Sequence, residues 1–286
     1  MLSNKVSEIM TTNLASASVA SSVQQVIEMM ATADIGRVIV TDKEVPVGIF
    51  TEKDVMRRVV NKNIDPRKLT IKEVMTSPIK AVREETHIVD AFGKMYRGKY
   101  RHLLVRGRRG KIVGIISMRR ILNLAVELGQ GMSETKALGS LVSGGALSVD
   151  EGSTVYDSVD LMIQRGVAAS VVLALGKPVG IFTERDVLKR VAAKGIDPKR
   201  TQVKQVMTSP MITMPDTALI GEGLTEMYKH DIRNMPVMAQ GGELVGIVSM
   251  PEILQYAAAF NIDEKVRQTW KEVAEYYDSE DQYTPG

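Results

Sequence analysis

The chain has 286 residues, 44% of them hydrophobic and 25% charged, a size and balance that suit about two compact units with apolar cores. Its formal charge of +3, from 37 basic and 34 acidic residues, is too even for a general nucleic-acid binder, and the absence of cysteine excludes disulfides, thiolate metal sites and cysteine nucleophiles. No apolar run reaches the roughly 20 residues of a membrane helix and the first ten residues lack the charged-then-apolar order of a secretory signal, so a cytoplasmic location without membrane contact is expected.

In chain order, a lead-in through Thr12, Asn13 and Leu14 precedes a helix whose Val23, Val26, Ile27 and Met30 form one apolar stripe. Ser21 and Gln24 stand at capping-box spacing before it. Two β-branched runs, 38–41 and 45–50, flank the turn-forming pair Asp42-Lys43, and a second helix is predicted over 52–60. The same order then returns. The stripe is echoed at Ile88, Ala91, Phe92 and Met95, at Val155, Ser158, Val159 and Met162, and at Ile220, Gly223, Leu224 and Met227.

The strand-to-helix junction repeats most closely. Gly-Ile-Phe-Thr-Glu-Lys-Asp at 48–54 returns as Gly-Ile-Ile-Ser-Met-Arg-Arg at 114–120, Gly-Ile-Phe-Thr-Glu-Arg-Asp at 180–186 and Gly-Ile-Val-Ser-Met-Pro-Glu at 246–252, a constant spacing of 66 residues. Alternate units are closer still, since Val-Met-Thr-Ser-Pro at 74–78 reappears at 206–210. The organisation is therefore a doubled pair, with expected units at 1–62, 63–128, 129–194 and 195–258, and the pairs dividing near 127–136 where Gly129 and Gly131 interrupt the apolar pattern. An acidic tail, 259–286, carries a predicted helix with Val266, Trp270, Val273 and Ala274 on one face, to dock on its own chain or on a partner. One unit of about 60 residues buries too little surface to be robust alone, so neighbours should pair through their sheet faces.

These residues resemble the cystathionine β-synthase (CBS) domain, in four tandem copies. The resemblance rests on Val-Gly-Ile-Phe-Thr-Glu-Lys-Asp at 47–54, its three echoes, the two Val-Met-Thr-Ser-Pro lead-ins and Asn-Met-Pro-Val-Met at 234–238. It implies an α+β fold of β-α-β-β-α units, paired into two pseudo-twofold Bateman modules that can stack as a disc, an architecture similar to the gamma regulatory subunit of the AMP-activated kinase. It also implies clefts for adenine nucleotides or related adenosyl ligands, in a module that regulates something else.

Thr51 and Asp54 stand where a strand gives way to a helix, and Thr183 and Asp186 repeat them. A carboxylate there can accept both hydroxyls of a ribose, yet Thr-x-x-Asp is also capping-box spacing, and the residues alone leave the two roles open. The resemblance implies ribose anchors. The second and fourth units carry Ser117 with Arg120 and Ser249 with Glu252, so two acid-equipped clefts are expected, one per module, and two degenerate ones. For phosphates the resemblance points to Arg37, Arg101, His102 and Arg233, with no base in the third unit at Val167, Ala168, Ala169 and Ser170; a solvated role for these cations is the alternative. An adenine slot is implied at the lead-ins, among them Asn13 and Leu14, with Ile49 and Ile181, for which core packing is the favoured reading.

The expected function is a non-catalytic regulatory sensor that binds AMP, ADP or ATP, with S-adenosylmethionine as a further candidate, and acts on an unidentified regulated protein, homodimerisation being left open. No cofactor and no metal are expected: His87, His102 and His230 lie far apart in sequence. The alternative is a nucleic-acid-binding or scaffold protein using the basic strip 97–120, which holds nine Lys/Arg and no acid. An enzyme related to inosine-monophosphate dehydrogenase is disfavoured, because the repeats leave no length for a catalytic barrel and its essential cysteine has no counterpart.

Overall fold

The computed structural model describes residues 5–98, 101–127, 136–142, 144–250 and 252–253. The predicted tail helix and most of the 127–136 boundary lie outside these residues.

Four three-stranded sheets repeat one topology. They comprise β1 (Ser16–Ser18), β2 (Arg37–Asp42) and β3 (Val45–Thr51); β4 (Ala81–Arg83), β5 (His102–Arg106) and β6 (Ile112–Ser117); β7 (Ser148–Asp150), β8 (Ala169–Ala174) and β9 (Lys177–Thr183); β10 (Met214–Pro215), β11 (Asn234–Met238) and β12 (Leu244–Ser249). In each sheet the first strand runs parallel to the middle one and the third returns antiparallel. A parallel neighbour requires a crossover, supplied by the helices that carry the apolar stripes: α2 (Val23–Thr32), α5 (Ile88–Gly98), α7 (Val155–Arg165) and α9 (Ile220–Lys229). Helical turns precede the sheets: α1 (Val6–Ile9), α4 (Ile71–Val74) and the 3₁₀ turns Leu138–Leu141 and Val203–Gln205.

The closing helix departs from a plain α-helix. In the odd units a single α-turn, α3 (Glu52–Asp54) or α8 (Glu184–Asp186), continues as a π-helix over Val55–Val60 or Val187–Ala192, whereas unit 2 closes with α6 (Met118–Glu127). Two local expectations shift by one residue. The capping box of α2 is Ser22 with Gln25 rather than Ser21 with Gln24, because Ser21 is still in the turn after β1 and its carbonyl accepts the Ile71 amide. The tight turn falls on Lys43 and Glu44, both with positive φ (47° and 65°), because a two-residue hairpin loop needs left-handed backbone to match the twist of its strands.

Sheets and helices face different neighbours. Ile39 of unit 1 packs on Leu104 and Ile115 of unit 2, with Leu14, Ile49 and Ile79 against them, so the pair is joined through its sheets. The helical faces look outward from the pair. Val23, Ile27, Met30 and Phe50 of unit 1 share one core with Val155, Val159, Met162 and Phe182 of unit 3, and Ile88, Met95 and Leu103 of unit 2 share a second with Ile220, Leu224 and Met235 of unit 4. Each unit thus borrows apolar surface from two others, which meets the burial shortfall of a 60-residue repeat. The two modules pack together within one chain.

The lead-ins cross over. Thr76 pairs with Ile49, Thr11 with Ile115 and Thr208 with Ile181, so each lead-in runs beside the third strand of the other unit in its module. The repeated glycines permit this approach. A Cβ at Gly180 would lie 2.9 Å from the Thr208 carbonyl oxygen and 2.5 Å from Met207 Sδ, and one at Gly114 would lie 3.0 Å from the Thr11 carbonyl and 2.6 Å from Met10 Sδ. Gly48 and Gly246 abut Met75 and Val142 in the same way. Gly180→Ala is therefore expected to cost about 1–3 kcal/mol by overpacking, measured by denaturant unfolding. Gly145→Ala, whose Cβ meets nothing within 4 Å, should leave stability unchanged or slightly raised.

Candidate functional site at the centre of the four units

Strand register aligns the four units residue by residue. Arg37 sits opposite Thr51, His102 opposite Ser117, Ala169 opposite Thr183 and Asn234 opposite Ser249. The residues one step earlier are Gly36, Arg101, Ala168 and Arg233, and each carbonyl accepts the amide that follows the Thr or Ser, at 3.0–3.2 Å. The odd units thus offer a small residue at this position and a glutamate, Glu52 or Glu184, after the threonine. The even units offer an arginine and a methionine, Met118 or Met250.

These complementary choices meet across the modules. Arg101 of unit 2 donates through both terminal nitrogens to Glu184 Oε2 of unit 3 (3.2 and 3.1 Å), and Arg233 of unit 4 donates to Glu52 Oε2 of unit 1. Glu52 and Glu184 are only 2% and 4% exposed, so each depends on its guanidinium for charge compensation. Sequence reasoning missed both glutamates. The signal was present in the repeat, where glutamate alternates with methionine and a small residue alternates with arginine.

The symmetry is incomplete. Around Glu52, Arg185 lies 3.6 Å from Oε1, its terminal nitrogens reach Asp231 (2.6 Å) and Asp34 (3.8 Å), Lys189 binds Asp34 (2.6 Å) and Arg119 pairs with Asp231. Around Glu184 the counterpart of Arg185 is Lys53, where desolvation and the charges of Arg57 and Arg101 press its pKa down. Arg37 adds a further cation, its own pKa lowered by burial and by Arg233. Desolvation, reinforced by Arg37, Arg101 and Arg233, holds His102 well below its ordinary value and leaves the imidazole neutral. The structure therefore brings Arg37, Arg101, His102 and Arg233 together from three units at one centre, and at the equivalent strand positions unit 3 has only Ala168 and Ala169.

The aspartates lie beside this centre, 7% (Asp54) and 6% (Asp186) exposed. Both halves of the capping box form: Thr51 donates to Asp54 Oδ2 from its amide (2.9 Å) and its hydroxyl (2.7 Å), and the Asp54 amide returns to Thr51 Oγ1 (3.4 Å). Asp54 Oδ1 accepts Thr76 Oγ1 (2.9 Å) from the neighbour's lead-in and lies 3.5 Å from Arg58 Nε. Thr183, Asp186, Thr208 and Arg190 repeat the arrangement. Arg58 and Arg190 also donate to the lead-in carbonyls of Val74 and Met75, and of Val206 and Met207. Burial outweighs these bonds at Asp186 and raises its pKa. From sequence Thr76 and Thr208 belong only to the lead-in segments implied for the adenine slot, and Arg58 and Arg190 are not singled out, because the bonds of all four to the aspartates arise only when lead-ins cross between units. In the even units Ser117 Oγ accepts the Arg120 amide (3.1 Å) and Ser249 donates to Glu252, so both junctions keep a cap.

Leu14 is half-buried between the sheets of units 1 and 2, beside Ile49 and Ile79, while Asn13 is exposed. The basic strip 97–120 does not form one face. Arg101 and Arg119 turn into the centre, and Arg108 at the 107–111 hairpin tip faces Glu84 (3.8 Å) and Glu85 (3.7 Å). Strand alternation and the helix return divide the run between the centre and the surface, where Arg97, Arg106, Arg109 and Lys111 are exposed. Also among these residues, no helix is long and apolar enough to cross a membrane and no group of three or more His, Cys, Asp or Glu could hold a metal.

Comparison with known proteins matches the CBS domain family four times, at residues 6–61, 71–127, 138–193 and 203–259. The chain is 26% identical over 278 residues to the CBS domain-containing protein CBSCBSPB1 of Arabidopsis thaliana, covering 84% of this chain and 51% of that protein. It spans about half the length of the first curated relatives it matches. The crystal structure of protein MJ1225 from Methanocaldococcus jannaschii shares the fold, with a TM-score of 0.76, 15% identity and coverage of 88% of this chain and 99% of that one. A CBS domain protein of Pyrobaculum aerophilum, PAE2072, solved in complex with AMP, matches 43% of this chain and 99% of its own at 27% identity and a TM-score of 0.39.

Two outcomes follow from the centre. Arg101→Met is expected to cost roughly 2 kcal/mol, below the 3–5 of a fully enclosed pair because the guanidinium is partly exposed, whereas Arg233→Met should cost less because Arg185 stays within 3.6 Å of Glu52; chemical denaturation distinguishes them. His102 resists a proton that the unfolded chain accepts near pH 6.5, so it contributes stability above that pH which is lost as pH falls. His102→Gln should flatten the fall in melting temperature between pH 7 and about 5.

Proposed function

The chain belongs to the CBS-domain family, with four copies in one polypeptide, and from that membership we propose that it is a non-catalytic sensor that binds an adenine nucleotide (AMP, ADP or ATP), or a related adenosyl compound such as S-adenosylmethionine. The sugar would sit at the threonine–aspartate corners of units 1 and 3, and the phosphates would point to the central cations. One juxtaposition carries this reading. Arg101 lies in the Coulombic field of both Asp54 and Glu184, so a carboxylate able to take ribose hydroxyls stands next to guanidinium groups able to take phosphate.

A carboxylate has about four lone-pair sites, and Asp54 already accepts from Thr51 and Thr76. Ribose hydroxyls would take over from the two threonine hydroxyls, which can rotate to accept or to donate elsewhere; the Thr51 amide bond that caps the helix need not break. Leu14, Ile49 and Ile79 between the sheets, and Ile181 in unit 3, offer apolar surface to the base, with the exposed Asn13 at the rim.

The readout follows from the ion pairs. A phosphate dianion entering the centre competes with Glu184 for Arg101 and with Glu52 for Arg233, and both pairs span the two modules. A ligand that makes this exchange binds one module arrangement better than another, and that differential affinity is the only quantity that can shift the population. A partner protein would read the shifted arrangement.

Titration calorimetry of the full chain with AMP, ATP and S-adenosylmethionine tests the proposal. At least one should bind, and Asp54→Ala with Asp186→Ala should weaken it tenfold or more while lowering stability by about 1 kcal/mol per lost cap. Absence of binding by every adenosyl ligand overturns the proposal. Unchanged affinity in a folded double variant would return both aspartates to helix capping alone.

A further inference from the structure

Unit 2 carries a cation cluster on its outer surface that the central site does not use. A surface cavity of about 470 Å³ is lined by Arg83, Thr86, Asp90, Lys94, Arg97 and Arg106, four cations against one acid. All four cations are exposed, and among the described residues none of them forms an ion pair. Lys94 Nζ donates to the Ala81 carbonyl (2.9 Å), which holds it over the edge strand β4. Arg97 folds back over Gly93, where a Cβ would lie 3.1 Å from its guanidinium nitrogen. Arg83 and Arg106 are register partners of the β4–β5 ladder, an arrangement in which like charges repel.

The repeat supplies an internal control. The positions of Arg83, Lys94, Arg97 and Arg106 are Ser18, Met29, Thr32 and Thr41 in unit 1, Asp150, Leu161, Gln164 and Leu173 in unit 3, and Pro215, Glu226, Lys229 and Met238 in unit 4. Three copies of the same fold stand without this cluster, so neither strand pairing nor helix packing requires it. Four unneutralised cations converging on one concavity, at a cost in cross-strand repulsion, are explained by an anion.

We propose that this cavity is a second ligand site, independent of the central cations, for a small multiply charged phosphate compound. The volume falls within the roughly 300–1,000 Å³ of small-molecule sites. Arg83 and Arg106, set side by side by the ladder, would grip adjacent phosphate groups through their planar donor forks, Lys94 and Arg97 would close the charge from the helix side, and the Thr86 hydroxyl would donate at the rim.

Inorganic tripolyphosphate is the probe, titrated calorimetrically into the full chain, into Arg83→Gln/Arg106→Gln and into Arg37→Gln. The outer-site variant should lose a binding event at least tenfold in affinity, with a melting temperature without ligand equal to or above that of the parent, since the like-charge pair is gone. The Arg37→Gln variant should keep that event. Absence of tripolyphosphate binding overturns the proposal, as does an unchanged set of binding events and affinities in Arg83→Gln/Arg106→Gln. Both results leave the adenosyl reading intact, because that is tested at Asp54 and Asp186.

Discussion

The close approach of one unit's lead-in to its neighbour's third strand is the constraint on which the rest of the structure depends. Backbone bonds between Ile49 and Thr76, and between Ile181 and Thr208, bring the chain within a distance that only glycine at 48 and 180 tolerates. The crossing pairs the units, and the pairing seats Ile39 on Leu104 between the sheets and frees both helical faces for the other module. It also carries Thr76 and Thr208 to the aspartates that begin the closing helices. A repeat that cannot bury its own core becomes stable by exchange, the lead-in passing one way and the neighbour's strand accepting it.

Apolar packing joins unit 1 to unit 3 and unit 2 to unit 4, but charge ties odd to even across the module boundary. Glutamate follows the threonine where the facing position is small, and arginine occupies that position where methionine follows the serine, so the two kinds of unit complement each other. Such pairs add little net stability over an apolar core, because desolvation of both ions offsets their attraction. Their effect is on arrangement. Glu52 has two guanidinium neighbours, Arg233 and Arg185, the latter also paired with Asp34 and Asp231, while Glu184 has Arg101 alone among the described ion pairs, so the two halves of the centre hold their arginines with unequal strength.

Asp54 and Asp186 cap the closing helices and, in the proposed reading, would also serve recognition. As a cap, each accepts the amide of the threonine that precedes a short α-turn, which then loosens into a π-helix; as a buried carboxylate, each also accepts two rotatable threonine hydroxyls. The π-helix brings Arg58 and Arg190 onto the lead-in carbonyls beside the same carboxylates. Helix start and neighbour contact are thus a single cluster, the one at which the proposed ligand would sit.

Periodicity by itself determined the number of units, their doubled pairing, the strand–helix–strand–strand order and the apolar face of each crossover helix, because these are properties of spacing along the chain: 66 residues between glycines, and 3.6 or 2 between core positions. It also placed Thr51 with Asp54 and Arg37 with its counterparts at strand ends. It could not place residues relative to other units. That Arg101 and Arg119 leave the basic run for the centre, that Glu184 pairs with Arg101 and Glu52 with Arg233, and that Arg83 meets Arg106 and Arg97 over one cavity were decided by tertiary structure, since a side chain's neighbours across a sheet or a module boundary depend on register and packing between segments up to 181 residues apart. Local spacing specifies which face a residue occupies; only the assembled fold specifies what that face meets.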